Sequence, residues 1–204
     1  MKSKIAIALF ALFAIGSAAN ASVITNGNFE DGLTGWTMTG NAVLATQYGA
    51  GFNWGGGSVA QNGTYAISFN GGNLPSTGAI YQNFATTVGT TYTVQFDYGS
   101  TSSWAQSMNW TVLGANQSTI GTDRVTDNNP AGLLNTYNFT FVANSLSSTL
   151  RFNDYVGNNS NNNDGLLDNI SVTANASAVP EPGSVALLGL GILGLGMSRR
   201  RKAA

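Results

Sequence analysis

The sequence predicts an all-β fold, an antiparallel β-sandwich, and three observations lead there. Apolar and polar side chains alternate with period two in several segments, the pattern of strands that bury one face. Gly, Asn, Asp and Ser cluster between those segments, where tight turns need them. No central stretch carries the 3.6-residue period of an amphipathic helix. Many short strands in a domain of this length imply a two-sheet sandwich.

The elements follow in chain order. Tyr65, Ile67 and Phe69 alternate in one strand, and Ile80–Thr86 reads as the next. Thr91–Tyr98 puts Tyr92, Val94, Phe96 and Tyr98 on a single face. Ser107–Leu113 does the same with Met108, Trp110 and Val112. Asn135–Ala143 aligns Tyr137, Phe139 and Phe141, and Ser147–Phe152 pairs Leu150 with Phe152. Asn158–Asn163 is a low-complexity run, expected as an exposed loop.

The two ends are of another kind. Residues 1–21 combine Lys2 and Lys4, an apolar stretch Ile5–Ile15 and Ala19-Asn20-Ala21, the make-up of an export signal removed by signal peptidase. Residues 179–204 begin with Pro180-Glu181-Pro182, continue through an apolar run within 184–198 and close on Arg199, Arg200, Arg201 and Lys202. Positive charges after an apolar segment hold that end on the cytoplasmic side. The expected order is export followed by transient arrest in the membrane, with the middle of the chain outside.

What remains, residues 22–178, is 157 residues long, enough for one domain with a real core. Arg124 and Arg151 are its only basic residues against eight acids, a net charge of −6. Nucleic acid is therefore excluded as a partner, because phosphate binding needs several Lys or Arg. The chain has no His and no Cys, which excludes His- or Cys-based triads, disulfides and His/Cys zinc or haem sites. Acid–base chemistry would fall to carboxylates, yet Glu30 is the only Glu before the tail and most Asp residues stand in turn contexts. The expectation is a protein that is not an enzyme; a carboxylate glycosidase using Glu30 or Asp97 is the weakest rival reading.

Sugar binding in water uses aromatic faces for C–H surfaces and planar polar groups for hydroxyls. Tyr48–Gly57 holds Tyr48, Phe52, Asn53 and Trp54 among five glycines, and Gly99–Gln106 carries Trp104 in a Ser-rich connection. Large aromatics on polar loops suggest a contact surface. The candidate ligand platform is Tyr48, Asn53, Trp54, Trp104 and Gln106; the alternative folds these aromatics back over the core. Trp36 and Trp110 read as core.

Two resemblances add to this. Pro180-Glu181-Pro182, the Gly/Leu-rich run and the Arg cluster resemble the PEP-CTERM sorting signal of Gram-negative bacteria. That resemblance implies processing by exosortase, an inner-membrane-anchored precursor, and a final place at the cell surface or outside the cell, commonly alongside exopolysaccharide. At the domain edges, Asn26-Gly27-Asn28-Phe29-Glu30-Asp31-Gly32 with Gly35-Trp36, and Leu166–Val172, resemble the first and last strands of galactose-binding-like jelly rolls, which include many carbohydrate-binding modules. This implies a jelly-roll sandwich in which Glu30 and Asp168 converge. By the same resemblance they hold a structural Ca2+ with the carbonyl of Asn28 and one from Asn62–Tyr65. Calcium is a hard cation suited to oxygen ligands. The functional expectation is an exported, non-catalytic polysaccharide-associated module; its main rival is a structural or adhesive matrix protein without a defined sugar.

Overall fold

A computed structural model of the protein describes residues 21–46, 63–69, 75–100, 105–128, 134–158 and 165–175. The export and sorting segments lie outside these, as do Tyr48, Asn53, Trp54 and Trp104, apart from Ala21 at the edge. Among the described residues there are ten strands and a single 3-10 turn, Ala115–Gln117. The strands are β1 (Thr37–Thr39), β2 (Ala42–Thr46), β3 (Tyr65–Phe69), β4 (Ala79–Ala85), β5 (Thr91–Ser100), β6 (Gln106–Leu113), β7 (Thr119–Asp127), β8 (Asn135–Val142), β9 (Ser147–Asp154) and β10 (Gly165–Ala174).

They form two antiparallel five-stranded sheets, β1-β4-β9-β6-β7 (sheet A) and β2-β3-β10-β5-β8 (sheet B), packed as a jelly-roll β-sandwich. The expected alternations hold. Ile67, Phe69, Val94, Phe96, Met108, Val112, Leu150 and Phe152 are all completely buried between the sheets. Phe96 of sheet B meets Phe152 of sheet A edge to face at 5.0 Å, and Trp110 stacks flat on Phe139. Such aromatic contacts lock the relative position of two sheets beyond the burial they provide.

β10 needs a correction to its alternation. Leu167 and Ile170 are three residues apart, so a regular strand would turn one of them outward. Both are buried, because the pairing with β5 slips by one residue between Asp168 and Ser171. Asn169 absorbs the slip in the left-handed region (φ 51°), which Asn tolerates better than most residues.

β1, β2 and β7 have no counterpart in the sequence expectation. β7 is a mostly polar edge strand, Thr-Ile-Gly-Thr-Asp-Arg-Val-Thr-Asp, with too little apolar alternation to announce itself. Asp127, which precedes Asn128-Asn129-Pro130, is one of the Asp residues expected in turns. It ends β7 1% exposed, accepting hydrogen bonds from Ser100 N (2.8 Å) and Asn135 Nδ2 (2.8 Å). Asn158, expected at the start of an exposed loop, is half-buried. Its amide donates to Asp154 (2.6 Å) and to the Ser107 carbonyl (2.7 Å).

Candidate functional site

The segment Asn26–Trp36 is built by its own residues. Asn26 sits in the left-handed region; its side chain donates to the Gly32 carbonyl (3.0 Å) and accepts from Asp31 N (3.0 Å), closing the loop on itself. The Asn26 carbonyl accepts the Trp36 indole N–H at 3.0 Å, and Phe29, fully buried, packs on that indole at 5.5 Å. Gly27 lies flat on β10: its carbonyl accepts from Ile170 N at 2.8 Å, and a Cβ there would fall 1.8 Å from the Ile170 oxygen. With Phe29 driven inward, the adjacent Glu30 is left outside, where its Oε1 accepts from Thr64 N (2.7 Å) and Tyr65 N (2.9 Å). Gly63 permits this approach, since a Cβ there would stand 2.1 Å from the same oxygen.

Asp168 lies on the outer side of sheet B, directly across the β5–β10 register from Asp97. It is 1% exposed, and its carboxyl is raised from 3.8 to about 7. Burial is the chief cause; the negative charges of Asp97 and Glu30 add to it, while the Asn169 N–H (2.7 Å) opposes it. Asp97, within β5, accepts from Thr136 Oγ1 (2.6 Å) and Asn169 Nδ2 (2.8 Å). The sandwich thus places Glu30 and Asp168 close enough to interact electrostatically, across 138 positions of sequence. Asn28 is exposed in the same loop. Among the described residues no group of three His, Cys, Asp or Glu side chains is arranged for a metal, so any ion here would need carbonyl oxygens as well.

Gln106 stands on the inward face of β6, completely buried, with neither amide atom hydrogen-bonded. It is therefore a neighbour of the core rather than of solvent. The Tyr98 hydroxyl and Asp154 Oδ2 are likewise buried without partners at this end of the sandwich. Burial together with Asp154 and Asp127 pushes the Tyr98 phenol well above its usual range.

The outer face of sheet A is a site the sequence did not suggest. The register places Tyr81, Arg151, Thr111 and Thr122 side by side across β4, β9, β6 and β7. The next outward row is Ala79, Asn153, Asn109 and Arg124. Arg151 Nε donates to Asn153 Oδ1 (2.9 Å), and Arg124 Nε to Asn109 Oδ1 (3.1 Å). The Arg124 guanidinium also lies 3.5 Å over the Tyr155 ring, a cation–π contact. Asn83 holds the Thr149 hydroxyl at 2.6 Å one row further on. The face thus carries two phenol rings, amides and two guanidiniums in fixed positions.

Comparison with known proteins matches residues 21–162 to the carbohydrate binding domain family, and residues 178–202 to the PEP-CTERM protein-sorting motif. No curated protein matches the chain significantly. Among solved structures, the N-terminal cellulose-binding domain of Cellulomonas fimi β-1,4-glucanase C is 18% identical (TM-score 0.51), covering 77% of this chain and 99% of that one. The CBM22-1 xylan-binding domain of Paenibacillus barcinonensis Xyn10C is 15% identical (TM-score 0.51), covering 79% and 100%. The CBM22-1-CBM22-2 tandem of the same enzyme is 16% identical (TM-score 0.53), covering 82% and 49%. At these identities the likeness is one of fold.

Proposed function

The chain belongs to the carbohydrate binding domain family and carries a PEP-CTERM sorting motif, and on that premise we propose that the outer face of sheet A is where this exported protein holds polysaccharide. One observation carries the reading: four neighbouring strands align Tyr81, Arg151, Asn153, Asn109 and Arg124, with Tyr155 beside them, on one side of the sandwich. A sugar ring lays its C–H face on a phenol ring while its hydroxyls exchange hydrogen bonds with amides and guanidiniums. Because both arginines are held by asparagines on paired strands and Arg124 also by the Tyr155 ring, little ordering of the guanidiniums remains to be done on binding. Tyr48, Asn53, Trp54 and Trp104 remain proposed ligand contacts on the sequence grounds given above.

The work done is binding, without catalysis, in a Gram-negative bacterium whose exosortase processes the tail. A Ca2+ ion at Glu30 and Asp168, completed by carbonyls such as that of Asn28, is the structural part of the proposal. Its support is a buried carboxylate facing two like charges, an arrangement that a cation relieves.

The test is affinity electrophoresis of the purified protein through gels containing the exopolysaccharide of the producing strain and a panel of β-glucans and xylans. Retardation is expected, weakened about tenfold by Tyr81→Ala, the loss of one ring contact worth roughly 1.4 kcal/mol. Unchanged mobility on every polymer would instead support the structural-matrix role.

A further inference from the structure

We propose that the polysaccharide held on this face is acidic, bearing carboxylates along its length, and that Arg124 and Arg151 are the residues that select it. The inference rests on sheet A being the binding face and adds the chemical class of the ligand.

Charge is segregated in this domain. Its only two basic residues, in a net charge of −6, both stand on the outer face of sheet A. No acid occupies an outward strand position there: Asp123, Asp127 and Asp154 take inward register positions, opposite Trp110, Gln106 and Met108, the last two of these acids buried and Asp123 exposed at the β7 edge. Asp97 and Asp168 belong to sheet B. Scattered surface charge would mix the two signs. Among the described residues neither guanidinium has a carboxylate partner, although acids outnumber the arginines fourfold in the domain; the neighbouring Asp123 carboxylate accepts only the Arg124 backbone N–H, at 2.8 Å.

The guanidiniums are also prepared for a planar anion. Each is held through Nε by an asparagine oxygen, which leaves its terminal Nη pair to form the two parallel bonds that a carboxylate accepts. Arg124 is further fixed by the Tyr155 ring. Neutral hydroxyls need no such cation, whereas a carboxylate bound away from bulk water does. Arg124 and Arg151 are two strands apart and two residues apart along the strands, about 12 Å between backbones from strand spacing and rise. That span exceeds one sugar ring, so the match is to a polymer with repeated acidic units.

The experiment compares retention of the full-length protein on polygalacturonate, on the same polymer after reduction of its carboxyls, and on a sulfated polymer of matched charge. Retention at least tenfold stronger on polygalacturonate than on the reduced polymer is expected. Arg124→Gln and Arg151→Gln should each bring that ratio toward one, and Arg124→Lys should restore part of it. Melting temperatures of the variants report that they fold. Equal retention on the reduced polymer would overturn the inference while leaving the binding face intact. Equal retention on the sulfated polymer would overturn the assignment to carboxylate. No retention on any polymer, neutral ones included, would overturn the binding face and this inference together.

Discussion

Replacing Asp168 by Asn removes one charge and little volume, and its effect can be worked out from the carboxyl's surroundings. In the fold this group holds its proton to about pH 7, against 3.8 when unburied. Folding therefore takes up a proton between those values, and stability falls as pH rises from about 4 to about 7, with the full cost present above 7. At 1.36 kcal/mol per tenfold change in proton affinity, the cost is about 4 kcal/mol at most. Glu30, one of the two repelling neighbours, is exposed and screened, so roughly 2–4 kcal/mol is expected. For a domain of this size that corresponds to about 5–15 °C in melting temperature. In chelator at pH 8, Asp168→Asn should melt above the wild type by that amount, and the gap should close by pH 4. Millimolar calcium should raise the wild type at pH 8, by about 2.7 kcal/mol if calcium stands at a hundred times its dissociation constant, and should leave the variant unmoved. Thermal melts followed by tryptophan fluorescence at both pH values decide it. A variant that melts below the wild type at pH 8 in chelator would refute the electrostatic argument, and a wild type indifferent to calcium would refute the cation.

Two further outcomes are expected. Gly27→Ala must push its methyl into the Ile170 backbone, 1.8 Å away, and should lower stability by at least about 3 kcal/mol; Gly32→Ala, with open space but φ +61°, should cost only about 1 kcal/mol, and equal losses in urea unfolding would contradict this. Gln106→Met replaces a buried amide without partners by an apolar chain of similar shape, so it should be neutral or stabilise by about 1–2 kcal/mol; destabilisation in the same assay would mean the amide has a polar partner.

The strands rich in apolar alternation were legible from sequence because their pattern is local: β5 and β8 read directly from Tyr92–Tyr98 and Tyr137–Phe141. The Asn26–Trp36 segment is singled out by resemblance, as a first strand; it is instead a run of turns closed by Asn26 and Trp36, and the first strand begins only at Thr37. The convergence of Glu30 with Asp168 came from family resemblance, since nothing local joins them. Gln106 was misread although the signal was present: the alternation that turns Met108, Trp110 and Val112 inward includes it. The outer face of sheet A could not be read, because Tyr81, Asn109, Arg124 and Arg151 become neighbours only through the order β4-β9-β6-β7. Strand order depends on the whole core and leaves no mark on any single segment.

The place of β10 bears on how the domain would carry mechanical load. The sorting tail follows it in sequence, and β10 lies in the middle of sheet B, paired with β3 on one side and β5 on the other. Near its exit the chain is tied again, Val23 N to the Val172 carbonyl and Asn175 N to the Thr91 carbonyl, each at 2.8 Å. Polymer gripping the far sheet while the tail is held would draw β10 along its own axis, across its hydrogen bonds. Those bonds would resist together in shear rather than open one after another as in a zipper. An edge strand in the same position would peel, so load entering through the tail would fall on a strand paired on both sides.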